Sequence, residues 1–169
     1  MRAQRSIVRF ALLTDQPDGV SVRAWREALK AGWYAVGEYY DAVVQPRKFE
    51  PGAASRYGFQ PRTEKYLKRK RRTAAKTWKV KDGGELDLVL SGITRTAVKR
   101  RQYPRPFYNR VVVDTPTPNY VQMRPRKAGR PNMGAELASV APDERAEMER
   151  IFQTVVESRL QAYSGGRRK

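Results

Sequence analysis

The sequence predicts an α+β domain spanning residues 1–163, an antiparallel sheet of about four strands packed by a long N-terminal and a C-terminal helix. Long basic arms at 45–75 and 124–134 and a flexible basic tail at 164–169 complete it. Three observations carry this expectation. Apolar residues recur every three or four positions between Ser21 and Val44 and again after Pro142. Apolar residues alternate through LDLVLSGITRTAV, and a second β-rich pair of segments flanks the Pro116 and Pro118 loop.

In chain order, Ser6–Leu13 is β-rich and reads as a first strand, and Asp15-Gln-Pro-Asp-Gly as a turn. Ser21 then caps a helix whose stripe is Val22, Trp25, Leu29, Trp33, Val36, Tyr40 and Val43. At about 1.5 Å per residue this helix is roughly 36 Å long. Trp25, Trp33 and Tyr40 are its core anchors or its anchors to a neighbouring subunit. Pro46 is expected to end the helix. QPRKFEPGAASRYGFQPR has no clean period and reads as an irregular arm, with Phe49, Tyr57 and Phe59 packing against a core or a neighbour. Thr63 and Glu64 open a short, mostly exposed helix that ends near Thr73.

Trp78–Val80 reads as a strand, followed by a turn at Asp82-Gly-Gly. Leu86–Leu90, the Ser91-Gly92 turn and Thr94–Lys99 form a first hairpin. Arg110–Asp114 and Tyr120–Met123 form a second, and Pro125–Gly134 an irregular basic arm. Pro142, with Asp143 and Glu144 in the first turn, starts the last helix. Its stripe is Met148, Ile151, Phe152, Val155 and Leu160; it fades at Tyr163 and stops at Gly165-Gly166.

The net charge of +18, from 35 Lys and Arg against 17 Asp and Glu, is unevenly placed. Residues 1–44 carry six cations and five anions, and residues 131–169 six of each. Residues 45–130 carry 23 cations and six anions, a net of +17. Such a middle is drawn to polyanions, whether nucleic acid, an anionic membrane or an acidic protein. No apolar run approaches the roughly 20 residues of a membrane span, so no membrane partner is expected. The basic start followed by a short apolar stretch is broken by Arg9 and reads as a strand rather than a leader. Synthesis is expected in the cytoplasm.

With no cysteine and no histidine, the chain lacks thiolate chemistry and the commonest general base and metal ligand. No phosphate-binding GxxxxGK[ST] loop occurs. Carboxylates for a Mg²⁺-dependent nuclease would have to come from Asp82, Glu85, Asp87 and Asp114. Glu85 and Asp87 share one face of a predicted strand, as solvated acids on a hairpin edge also would. Ser91-Gly92 is a turn, not a nucleophile elbow. No enzyme, cofactor or metal site is expected.

Two clusters stand out. RTEKYLKRKRR, residues 62–72, holds Arg62, Lys65, Lys68, Arg69, Lys70, Arg71 and Arg72. KRRQYPRPFYNR, residues 99–110, interleaves Lys99, Arg100, Arg101, Arg105 and Arg110 with Tyr103, Phe107 and Tyr108. The mixture suits phosphates and stacked bases, without sequence choice. It suits a protein interface equally, because arginine clamps carboxylates as readily as phosphates.

The whole pattern resembles tail-completion, or head–tail joining, proteins of tailed bacteriophages, also called virion morphogenesis proteins. The resemblance covers most of residues 21–163. It rests on the long amphipathic helix, the arm FEPGAASRYGFQPRTEKYLKRKRR, and LDLVLSGITRTAV with Leu90-Ser91-Gly92 and Thr94-Arg95. The closing segment NMGAELASVAPDERAEMERIFQTVVESRL, with its helix announced by Val140-Ala-Pro-Asp143-Glu144, completes it. The arm at 45–75 is longer than the family's usual segment, so its role does not carry over. The resemblance implies a structural virion protein of the neck or tail top. It would form a homo-oligomeric ring around the DNA passage, between other neck, connector or tail proteins. The basic middle would then face genomic DNA or acidic neighbours. The alternative is a sequence-independent nucleic-acid-binding protein outside any virion.

Overall fold

The computed structural model describes residues 5–10, 15–73, 76, 95–96, 103–116 and 132–165. Among them helix predominates, and the expected four-strand sheet covered by two helices is not the architecture. The helices are α1 (Val22–Tyr39), α2 (Gln45–Arg47), α3 (Ala53–Tyr57), α4 (Glu64–Thr73), α5 (Met133–Ala138) and α6 (Pro142–Gly165). The strands are β1 (Arg5–Phe10), β2 (Arg105–Pro106) and β3 (Val111–Pro116), in one small sheet of order β1-β3-β2. The expected strands at 78–80 and 86–90 fall outside the described residues; of the expected strand at 94–99 only Arg95 and Thr96 are described, and they are helical rather than extended. The strand at 120–123 and most of the arm at 124–134 also fall outside the described residues.

Two local causes shift the balance toward helix. The stretch after Pro46, expected to be irregular, folds into α2 and α3. Its glycines punctuate short helices rather than forbid them: Gly52 (φ 85°) opens α3 and Gly58 (φ 63°) closes it. Phe59 N–H donates to Ala54 O at 2.9 Å, the six-to-one bond of a Schellman closure. Pro46 also does not end the first helix. α1 passes into a π-helical turn, Tyr40–Val44, and α2 starts anew with Pro46 in its first turn, where a missing N–H costs nothing.

The chain divides into two compact units. One comprises Met1–Ser6, Ala42–Arg101 and Thr115–Ala141; the other comprises Ile7–Asp41, Gln102–Asp114 and Pro142–Lys169.

In the second unit, α1 packs along α6. Ser21 caps α1 by accepting from Ala24 N–H at 3.2 Å. The buried face of α1 is Ala28, Leu29, Gly32, Trp33, Val36 and Gly37, continued by Tyr40; Trp25 is half-buried. α6 answers with Met148, Phe152 and Val156, spaced by four. At Gly32 the helices approach closely, since a Cβ there would stand 2.8 Å from Val156 Cγ2 and 2.9 Å from Phe152 Cδ2. Beside it the Trp33 and Phe152 rings lie 4.7 Å apart at 51°. Val111, Val112 and Val113 of β3 are buried.

In the first unit, Phe49, Ala53, Tyr57, Phe59, Leu137 and Ala141 form one apolar cluster, with Ala54 and Met133 against it. Tyr57 and Phe59 stack at 5.8 Å and 19°. Tyr57 donates its hydroxyl hydrogen to Val44 O at 3.5 Å.

Phe152→Ala removes the ring that both Gly32 and Trp33 meet. It should cost about 3–5 kcal/mol of stability in urea denaturation. A loss under about 1 kcal/mol would show that the α1–α6 contact carries little of the second unit's stability.

Candidate basic interaction surfaces

The first surface is α4. Thr63 caps it, accepting from Tyr66 N–H at 3.3 Å through its hydroxyl and from Leu67 N–H at 3.0 Å through its carbonyl. Tyr66, Leu67 and Thr73 are half-buried and Lys70 is buried, so one stripe of the helix faces inward. Lys65, Lys68, Arg69, Arg71 and Arg72 are exposed on the remaining arc. The only acid on α4 is Glu64 in the first turn, 2.8 Å from Lys68 Nζ in an exposed pair. Arg69 lies over the Tyr66 ring at 5.8 Å. Lys70, Arg71 and Arg72 fill the last turn, where the helix dipole favours positive charge.

What holds the approach to α4 is a buried ion pair. Arg62 meets Glu136 of α5 end-on, Nη1 to Oε1 at 2.8 Å and Nη2 to Oε2 at 2.5 Å. Both side chains are more than nine-tenths buried. Gln60 N–H also donates to Glu136 Oε1 at 3.1 Å, and Arg62 Nη1 donates to Gln60 O at 2.7 Å. Asn132 caps α5 by accepting from Ala135 N–H at 3.1 Å. Lys48, also buried, donates from Nζ to Leu137 O and lies 5.7 Å from the Tyr57 ring centre. Arg62 and Lys70 therefore turn inward, while the other five cations of the 62–72 run stay at the surface. Phe49, Tyr57 and Phe59 are buried in this unit's own core.

The second surface is the hairpin of β2 and β3. Arg105 pairs with Val112 and Pro106 with Val111 in antiparallel register. Phe107 N–H donates to Arg110 O at 2.7 Å across the turn. Pro104 is buried against α1 at Gly37, where a Cβ would come within 2.4 Å of Pro104 Cβ. Tyr103, Arg105, Phe107, Tyr108 and Asn109 are exposed, and Arg110 is half-buried. Arg110 lies 4.9 Å from the Phe107 ring centre, and Arg26 of α1 lies 5.4 Å from that of Tyr108. Lys99, Arg100 and Arg101 lie outside the described residues.

Sequence reasoning missed Glu136, Lys48 and Arg26. Arg62 and Glu136 stand 74 positions apart, and no local spacing joins them. Among the described residues no group of three or more acidic, cysteine or histidine side chains is placed to hold a metal ion. Glu85 and Asp87 lie outside those residues. No described helix is long and apolar enough to cross a membrane. Comparison of the chain with family models, curated proteins and solved structures gives no match in any of the three.

Arg62→Met leaves the Glu136 carboxylate buried and unpaired, and should cost about 3–5 kcal/mol in urea denaturation. Adding Glu136→Leu should return at least about 1 kcal/mol of that, because two apolar side chains replace the pair without a stranded charge. A double variant no more stable than the single one would mean that the pair matters for its shape rather than its charge.

Proposed function

We propose that this chain is a structural protein of the neck or tail top of a tailed bacteriophage. It assembles as an oligomeric ring that joins head to tail around the DNA passage. One observation carries the reading most: α4 presents five exposed cations of one sign, Lys65, Lys68, Arg69, Arg71 and Arg72, on a helix fastened at its start by a buried ion pair. A fixed face with five cations and the single acid Glu64 suits a fixed acidic neighbour. In this reading the neighbour is an adjoining protein of the connector or the genome's phosphates. The charge map supports it, since the excess of +17 sits in residues 45–130 between balanced ends. The resemblance in residues 21–163 adds the order of a long helix, a basic segment, the LDLVLSGITRTAV segment and a closing helix.

A second reading, a nucleic-acid-binding protein outside any virion, draws on the hairpin, where exposed aromatics stand beside arginines. It requires binding to DNA or RNA that falls steeply as salt rises.

Reversing charge at Arg69, Arg71 and Arg72 together (each →Glu) tests the first reading, because all three are exposed and the core beneath them is untouched. The variant should fold, with an unchanged circular dichroism spectrum, yet leave heads and tails unjoined. Infectious titre should fall at least about tenfold, since like charges across an interface cost several kcal/mol. Normal joining with the variant incorporated would contradict the assignment of α4 to the interface.

A further inference from the structure

We propose that the 103–113 hairpin is a contact for an unpaired nucleic-acid strand. Its bases stack on Tyr103, Phe107 and Tyr108, and its phosphates are held by Arg26, Arg105 and Arg110.

The first argument is exposure. Tyr103 is 74% exposed, Phe107 41% and Tyr108 50%, and these are half of the six large apolar side chains exposed among the described residues. Single exposed apolar residues are ordinary on a surface, but three aromatics within six positions form a patch. The second argument is charge. Arg105 and Arg110 are on the hairpin, Arg26 lies over Tyr108, and residues 103–110 contain no acid. The guanidinium charge beside the exposed rings is complementary to an anionic occupant. Carboxylates of a protein would engage the arginines and leave the rings in water. A strand of nucleic acid satisfies both, because every base has a flat face and every linkage a phosphate.

The third argument is the backbone. The sheet order places β2 at an edge, and edges commonly recruit another strand. Pro104 and Pro106 have no N–H to donate there, which blocks extension of the sheet by a peptide or a second copy. Recognition must run through side chains. Tyr103 and Arg105 face outward while Pro104 faces inward, so a ring and a cation alternate with the pleat on the outer face. The platform is also preorganised. Pro104 sits hard against Gly37, and Val111 beneath it is fully buried. Little chain ordering is left for binding to supply.

The proposal is independent of the head–tail reading and rests on the nucleic-acid reading of the same hairpin, which it narrows to an unpaired strand: binding to duplex and strand alike would overturn the proposal alone, and binding to neither would overturn both. Anisotropy of a labelled oligothymidylate and of a labelled duplex of equal length is measured with the full chain at about 0.15 M salt and at lower salt. The strand should bind. Tyr103→Ala/Phe107→Ala/Tyr108→Ala should weaken it at least about tenfold, with the salt slope unchanged because the phosphate contacts remain. Duplex affinity should move less than about twofold, since paired bases offer no face to stack. Tyr103→Ala alone, at the most exposed ring, should weaken the strand by about threefold and guards against misfolding of the triple variant. Three further results would overturn the proposal: unchanged strand affinity in both variants, equal losses on strand and duplex, or a native chain that ignores the strand but binds a poly-glutamate peptide through the same three rings.

Discussion

The first unit depends on the Arg62–Glu136 pair. α4 must hold Lys65, Lys68, Arg69, Arg71 and Arg72 together against their mutual repulsion, and its inward face offers only Tyr66, Leu67, Lys70 and Thr73. So narrow a face does not fix a helix well by apolar burial alone. The bidentate contact fixes the residue before the Thr63 cap, and Gln60 N–H binds the same carboxylate. Glu136 is in turn set by the short, Asn132-capped α5, whose Leu137 belongs to the Phe49–Tyr57–Phe59 core. One buried acid thus organises the mounting of a strongly basic helix.

The second unit solves a different problem with small residues. Gly32 brings α6 against α1, and Gly37 brings Pro104 to the same helix. Close approach at these two points lets Trp33, Phe152 and Val111 fill the space around them. The consequence for function is a hairpin whose turn is exposed while its base is fixed. The rings of Tyr103, Phe107 and Tyr108 and the Arg105 side chain are therefore exposed on a fixed base, with Arg110 half-buried among them.

The sequence made the two long helices legible because period and caps agree: Ser21 accepts from Ala24, and Trp33, Val36 and Tyr40 are buried as their stripe requires. The contact between the helices was not legible. Gly32 lies at it and gives no apolar signal, and the face of the last helix that meets it includes Val156 where the expected stripe took Val155. The stretch after Pro46 misled for a physical reason. Prolines and glycines argue for loop, yet Gly58 in left-handed conformation is a helix C-cap, and Gly52 supplies the positive-φ turn that leads into α3. Its aromatics were the better guide, since Phe49, Tyr57 and Phe59 are all core. Of the sheet, Arg110–Asp114 corresponds to β3, but its antiparallel neighbour Arg105–Pro106 was not among the expected strands; an edge strand tolerates its proline. Within the candidate surfaces, a run of seven cations hid the two that turn inward, Arg62 and Lys70. Charge counting cannot tell a clamp from a face when the partner carboxylate is distant in sequence.

The central claim is that the basic middle of this chain serves particle assembly. It is tested most directly by peptide mass spectrometry of gradient-purified, nuclease-treated phage particles from the source culture, with copy number scaled to the major capsid protein. The account predicts this chain at a small, fixed number per particle that survives nuclease and high-salt washing. Absence from particles, with recovery of the chain in cellular nucleoprotein, would contradict it and leave α4 as a grip on phosphates.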